Sequence, residues 1–151
     1  MPEFQLNADR YGKHAYYKLS DFAKGYVEAM FFTNGDTGNE KNENLLNDLG
    51  VEKLTREAVK DIAKDCDAFL GKIMSDGCFA RQWLDRANEA TGYSDSRAGH
   101  DFWFTRQGHG TGFWDRGATV LPLEIGKAFD TIAKDFGEAY CDVANSWIYH
   151  R

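Results

Sequence analysis

The chain reads as an α+β fold, with about four helices packed on a small antiparallel sheet made of two hairpins. Two observations predict it. Apolar residues recur at helical spacing in four stretches, and that spacing gives way to alternation around Gly108 and again over the last dozen residues. A third sets the scale: 151 residues with only two prolines fit a single domain, 1–151, whose helices run uninterrupted.

Residues 1–17 show no clear period, although Tyr16 and Tyr17 can begin a staple onto the first helix. Ser20 is a good N-cap, and Asp21 suits the positive end of the helix that follows. Phe22, Ala23, Tyr26, Val27, Met30 and Phe31 give that helix its apolar face. The polar segment 33–44 breaks it as a loop, and Glu43–Leu49 has room for one or two helical turns. A long helix is predicted over Thr55–Met74, capped by Thr55, with Val59, Ile62, Ala63, Cys66, Phe69, Leu70 and Ile73 on one face. Asp76-Gly77 ends it. A third helix is expected over Phe79–Ala90, with Gly92 as its stop. Another should begin at Pro122, with Ile125, Ala128, Phe129, Ile132 and Phe136 inward and Gly137 as its end.

Residues 98–117 read as a hairpin turning at Gly108-His109. In that register Asp101 faces Arg116, Trp103 faces Trp114, and Phe104 faces Phe113: one charge pair and two aromatic pairs. Residues 140–143 and 146–150 read as a second hairpin around Ala144-Asn145. Cys141, Val143 and Ile148 lie on one face, with Tyr140, Asp142, Trp147 and Tyr149 on the other.

Composition excludes several function classes. Net charge is −6, and residues 21–50 carry six acids against two bases, so duplex binding by phosphate neutralisation is disfavoured. Nothing approaches the roughly 18 apolar residues that span a bilayer, and the N-terminus lacks the apolar core of a secretory signal. Three cysteines without a CxxC fit a reducing compartment and argue against a zinc ribbon. Aromatic residues reach 15%, enough for both a core and a binding surface.

The box DFWFTRQGHGTGFWDRG, residues 101–117, resembles one found in proteins of bacteriophages and other mobile elements. The likeness extends loosely over residues 55–151, through a helix with an acidic DCDAF centre and an aromatic C-terminal hairpin. It implies a phage or plasmid origin and a life in the cytoplasm of a bacterial host. That family carries no established activity, so no catalytic residue transfers. Residues 1–50 fall outside the likeness and read as a family-specific N-terminal extension.

Catalytic constellations are weak. His100, Asp101 and His109 suggest a metal, but nine residues of extended strand separate the histidines by about 30 Å. Cys78 precedes a predicted helix without a base at a recognisable spacing. Gly108, Gly110 and Gly112 give G-x-G-x-G without a following helix to hold a phosphate. No catalytic residue, metal or cofactor is therefore expected. The expected function is that of a non-enzymatic phage accessory protein binding a host or defence-system macromolecule, with a protein favoured. A binder of single-stranded nucleic acid and a small enzyme are the alternatives, and a homo-oligomer is compatible with either binding role. The expected determinants are Trp103, Arg106, His109, Trp114 and Arg116, because aromatic and arginine side chains supply the most binding energy per residue. Neither Arg106 nor His109 is expected to be needed for packing. The acidic 33–50 segment is the next place to look, through Asp36, Glu40, Glu43 and Asp48.

Overall fold

A computed structural model describes residues 14–75, 92–115 and 123–151. Within them the protein is α+β. Its helices are α1 (Asp21–Phe32), α2 (Leu45–Leu49), α3 (Arg56–Ser75), α4 (Asp95–Arg106) and α5 (Leu123–Asp135). One antiparallel hairpin follows, made of β1 (Cys141–Ala144) and β2 (Trp147–His150). Short 3₁₀ turns at Ala15–Lys18, Asn34–Asp36, Val51–Lys53 and Phe113–Asp115 join the elements. No described helix is long and apolar enough to cross a membrane.

Several starts and stops follow local chemistry. Ser20 Oγ accepts from the Ala23 N–H, and Thr55 Oγ1 accepts from the Ala58 N–H, so α1 and α3 begin at side-chain caps. Gly137, at φ +70°, ends the turn after α5. On α3, Val59, Ile62, Cys66, Phe69 and Ile73 are buried along one stripe. Phe69 sits at the centre of the core, its ring 4.5–6.4 Å from those of Phe22, Phe102, Phe113, Phe129 and Phe136.

The largest departure from expectation is at residues 98–117. The Trp103–Trp114 hairpin is not formed: residues 95–106 are helical, and Phe113–Asp115 is a 3₁₀ turn. Ser94 Oγ caps α4 by accepting from the Arg97 N–H, with Asp95 in the first turn. From Ala98 to Arg106 every residue is buried except the half-buried Phe104. Because α4 buries its polar residues His100, Asp101, Thr105 and Arg106 together with its apolar ones, its sequence shows no 3.6-residue apolar stripe. Gly108, at φ +73°, is the helix stop rather than a hairpin tip. The His109 N–H returns to Phe104 O and the Gly108 N–H to Thr105 O, the double bond of a Schellman end.

Burial of α4 depends on two glycines. A Cβ on Gly99 would lie 2.0 Å from Phe22 O, and one on Gly25 2.0 Å from Ser96 O. The backbones of α1 and α4 therefore touch directly.

The C-terminal hairpin forms with the expected inward and outward faces, but its turn is one residue later. Cys141 pairs with His150 and Ala144 with Trp147. The turn residues Asn145 and Ser146 both have positive φ, as a two-residue type I′ turn requires, and Asn tolerates this better than Ala. The Thr55 N–H donates to Ile148 O at 3.0 Å, tying β2 to the start of α3. The helix expected over Phe79–Ala90, together with Cys78, lies outside the described residues.

Candidate functional site

Of the five residues expected to form a binding surface, Trp103 and Arg106 lie in the interior. Trp103 is fully buried, and its indole N–H donates to Thr33 Oγ1 at 2.9 Å. Arg106 is an interior group. Its Nη1 donates to Asp65 Oδ2 at 2.8 Å and to the Tyr26 hydroxyl at 3.0 Å, and its Nε donates to Gly137 O at 2.9 Å. It is therefore needed for packing, contrary to expectation, because it satisfies groups on α1, α3 and the end of α5. Trp114 lies in the 3₁₀ turn, and Arg116 falls outside the described residues. Of the five, His109 is the one placed at a described cleft.

Arg106 belongs to a chain of polar groups. His150 Nδ1 is 2.6 Å from Asp61 Oδ2, and its Nε2 is 2.7 Å from the Tyr26 hydroxyl. The carboxylate only accepts, so Nδ1–H donates to Asp61, the Tyr26 O–H donates to Nε2, and Arg106 donates to the Tyr26 oxygen. Burial holds the His150 imidazole below its ordinary pKa, against the pull of Asp61. Burial also raises the Tyr26 phenol well above its own, with Arg106 opposing. The order hydroxyl, imidazole, carboxylate is that of a nucleophile relay. Tyr26 is wholly enclosed, however, so no substrate reaches its oxygen, and the chain serves to join α1, α3, α4 and β2.

The two histidines first considered for a metal occupy different surroundings. His100 Nε2 is buried 3.4 Å from Glu28 Oε2, and the neighbouring Asp101 accepts from the Tyr93 hydroxyl at 2.6 Å. The 30 Å separation does not hold, because a helix rises only about 1.5 Å per residue.

His109 and Asp36 meet at a surface cleft of about 420 Å³, with an Nε2 to Oδ2 distance of 2.9 Å. Gln107 fixes the wall: its Nε2 donates to Ala139 O and to Asp36, while its Oε1 accepts from the Ala139 N–H at 2.6 Å. Glu138, Tyr140 and Asp142 complete the rim, and the buried Cys141 thiol lies in the wall, its pKa pushed up to about 12 by burial and then by Asp142 and Asp36. The cleft thus joins His109 to Asp36, the first residue of the fallback acidic set.

Beside it lies the outer face of the hairpin. Tyr140 is 68% exposed, Trp147 42% and Tyr149 39%. Lys53 Nζ sits 4.8 Å from the Trp147 ring centroid, and Arg151 pairs with Asp142 at 3.0 Å. The sequence carried a sign of this face, since Tyr, Trp and Tyr alternate with Cys, Val and Ile, but it was outweighed by the longer aromatic run at 102–104. No protein-family model, no curated protein and no solved structure matches the chain.

Proposed function

We propose that the protein is a non-enzymatic binding protein whose partner is another protein. The partner would dock on the outer face of the C-terminal hairpin and the adjoining His109–Asp36 cleft. The carrying observation is the exposure of Tyr140, Trp147 and Tyr149 together on one face of a two-stranded sheet. Amphipathic aromatic side chains in water cost little to order and give large contact area on docking, which is why they dominate interface energetics. Asp36, Glu138 and Asp142 on the cleft rim, with a net charge of −6, favour a partner with a basic surface over a phosphate backbone. The likeness of residues 101–117 to phage and plasmid proteins supports a host or defence-system protein as the target, met in the bacterial cytoplasm.

The test is capture from host extract with the wild-type chain and with the Tyr140→Ser/Trp147→Ala double variant, both checked for unchanged melting. The reading expects a protein retained by the wild type, whose affinity after purification falls at least tenfold with the variant. Equal retention by both overturns it. Salt-sensitive binding of a fluorescent single-stranded oligonucleotide, lost in the same variant, would transfer the face to nucleic acid instead.

A further inference from the structure

We propose that Asp61, Asp65 and His150 form a binding site for one divalent transition-metal ion of the zinc type, separate from the partner-binding face. Each offers one ligand atom, and the three atoms lie within 4.8 Å of one another. Asp61 and Asp65 stand one turn apart on α3, an arrangement of like charges that disfavours the helix unless a cation lies between them. Arg106 supplies one positive charge to Asp65, so two carboxylates, one guanidinium and a neutral imidazole leave one negative charge uncompensated.

The histidine sets this cluster apart from an ordinary acidic patch. His150 comes from a different element, its side chain is fully buried, and its Nδ1 points at the carboxylates. Its far nitrogen contacts the Tyr26 hydroxyl and Asp65 is held by Arg106, so both side chains are fixed in place. Arg106 occupies Oδ2 of Asp65 and His150 faces Oδ2 of Asp61. The second oxygen of each carboxylate accepts nothing from a described residue. With the ion bound, Nδ1 becomes the ligand and the ring's single proton moves to Nε2, so the Tyr26 hydroxyl, which donates to Nε2 in the ion-free protein, must turn to accept from it and give up that acceptor for its own O–H.

Ligand atoms around tetrahedral zinc stand about 3.3 Å apart, so the 2.6 Å contact to Asp61 must open by less than an ångström and pairs that stand as far apart as 4.8 Å must close by about 1.5 Å. Asp61 can make that movement because it is 35% exposed, and an ion entering past it and Asp65 crosses no core. One nitrogen and two carboxylate donors suit Zn²⁺ or Mn²⁺ better than Ca²⁺ or Mg²⁺, which take oxygen sets. Three protein ligands leave a position for water.

Isothermal titration of the full chain with ZnCl₂ at neutral pH tests the site, with MgCl₂ as the contrast. The expected result is one Zn²⁺ per chain and a raised melting temperature. Affinity should drop at least tenfold in both Asp61→Asn and Asp65→Asn and stay unchanged in His109→Ala. Either amide keeps an acceptor for its present donor, so the fold should stand; if one variant fails to fold, the other carries the test. No zinc binding, or binding that survives both substitutions, overturns the proposal.

Discussion

Phe69→Ala puts the described core to its most direct test. The ring is fully buried at the meeting point of α1, α3, α4 and α5. Its loss forfeits about 2 kcal/mol of transfer free energy. Stacking at 4.5 Å on Phe102 and 5.4 Å on Phe113, with an edge contact to Phe129, adds contributions of about 0.5–1.5 kcal/mol per pair, less than additive in a shared cluster. About 4 kcal/mol follows, within the roughly 3–5 kcal/mol range for a buried Phe cut to Ala. In a domain of this size that corresponds to a melting temperature lower by about 8–16 °C. Urea denaturation followed by circular dichroism measures it, with an unchanged slope showing that the unfolded state is the same. Leu70→Ala, one position along and only half-buried, is the comparator and should cost clearly less. A Phe69→Ala loss below about 1 kcal/mol, or one equal to that of Leu70→Ala, would refute the placement of Phe69 at the centre.

Arg106→Ala should destabilise by about 3–5 kcal/mol in the same melt, because it strands Asp65 and the Tyr26 oxygen. Adding Asp65→Asn should recover part of that loss, and an effect within 1 kcal/mol would mean that the guanidinium is not structural. In a Cys78→Ser background, native Cys141 should react with iodoacetamide at least a hundredfold more slowly at pH 8 than in the denatured chain, its rate still climbing beyond pH 10. The folded thiol ionises about three units above the unfolded one, so its contribution to stability is full below pH 9 and is lost as pH rises towards 12. A rate plateau near pH 9 in the folded protein would contradict this.

The sequence was legible where one face of an element meets water. α3 and α5 each alternate a buried stripe with a polar one, caps at Ser20 and Thr55 mark two of the starts, and α1, although buried from Gly25 to Phe31, shows itself through its cap and its apolar residues at helical spacing. The hairpin faces could be read for the same reason. α4 was not legible, because it buries His100, Asp101, Thr105 and Arg106 along with its apolar residues, so polar positions break the apolar stripe, and Phe102-Trp103-Phe104 mimics paired strands. Ser94-Asp95 was the overlooked sign, a cap and a first-turn acid just ahead of the run. A strand over this segment would put Trp103 and Arg106 at a surface, whereas the helix puts both in the interior. His109 lies at the surface because it follows the helix stop. Its meeting with Asp36, and that of Asp61 with His150, span 73 and 89 positions, and no local pattern encodes them.

At the α1–α4 crossing, main chain rests on main chain, with carbonyls where a methyl group would collide. Neither helix can roll or slide against the other without driving a side chain into that contact, so the two move as one rigid block. The hairpin lies outside that block: its two strands pair with each other, and it is tied to the remainder through the Leu54–Ile148 bridge, the bond from Thr55, and the buried Cys141 and His150. A partner of the proposed kind, settling on Tyr140, Trp147 and Tyr149, would therefore dock on a surface fixed to that block through the buried His150 and Ile148.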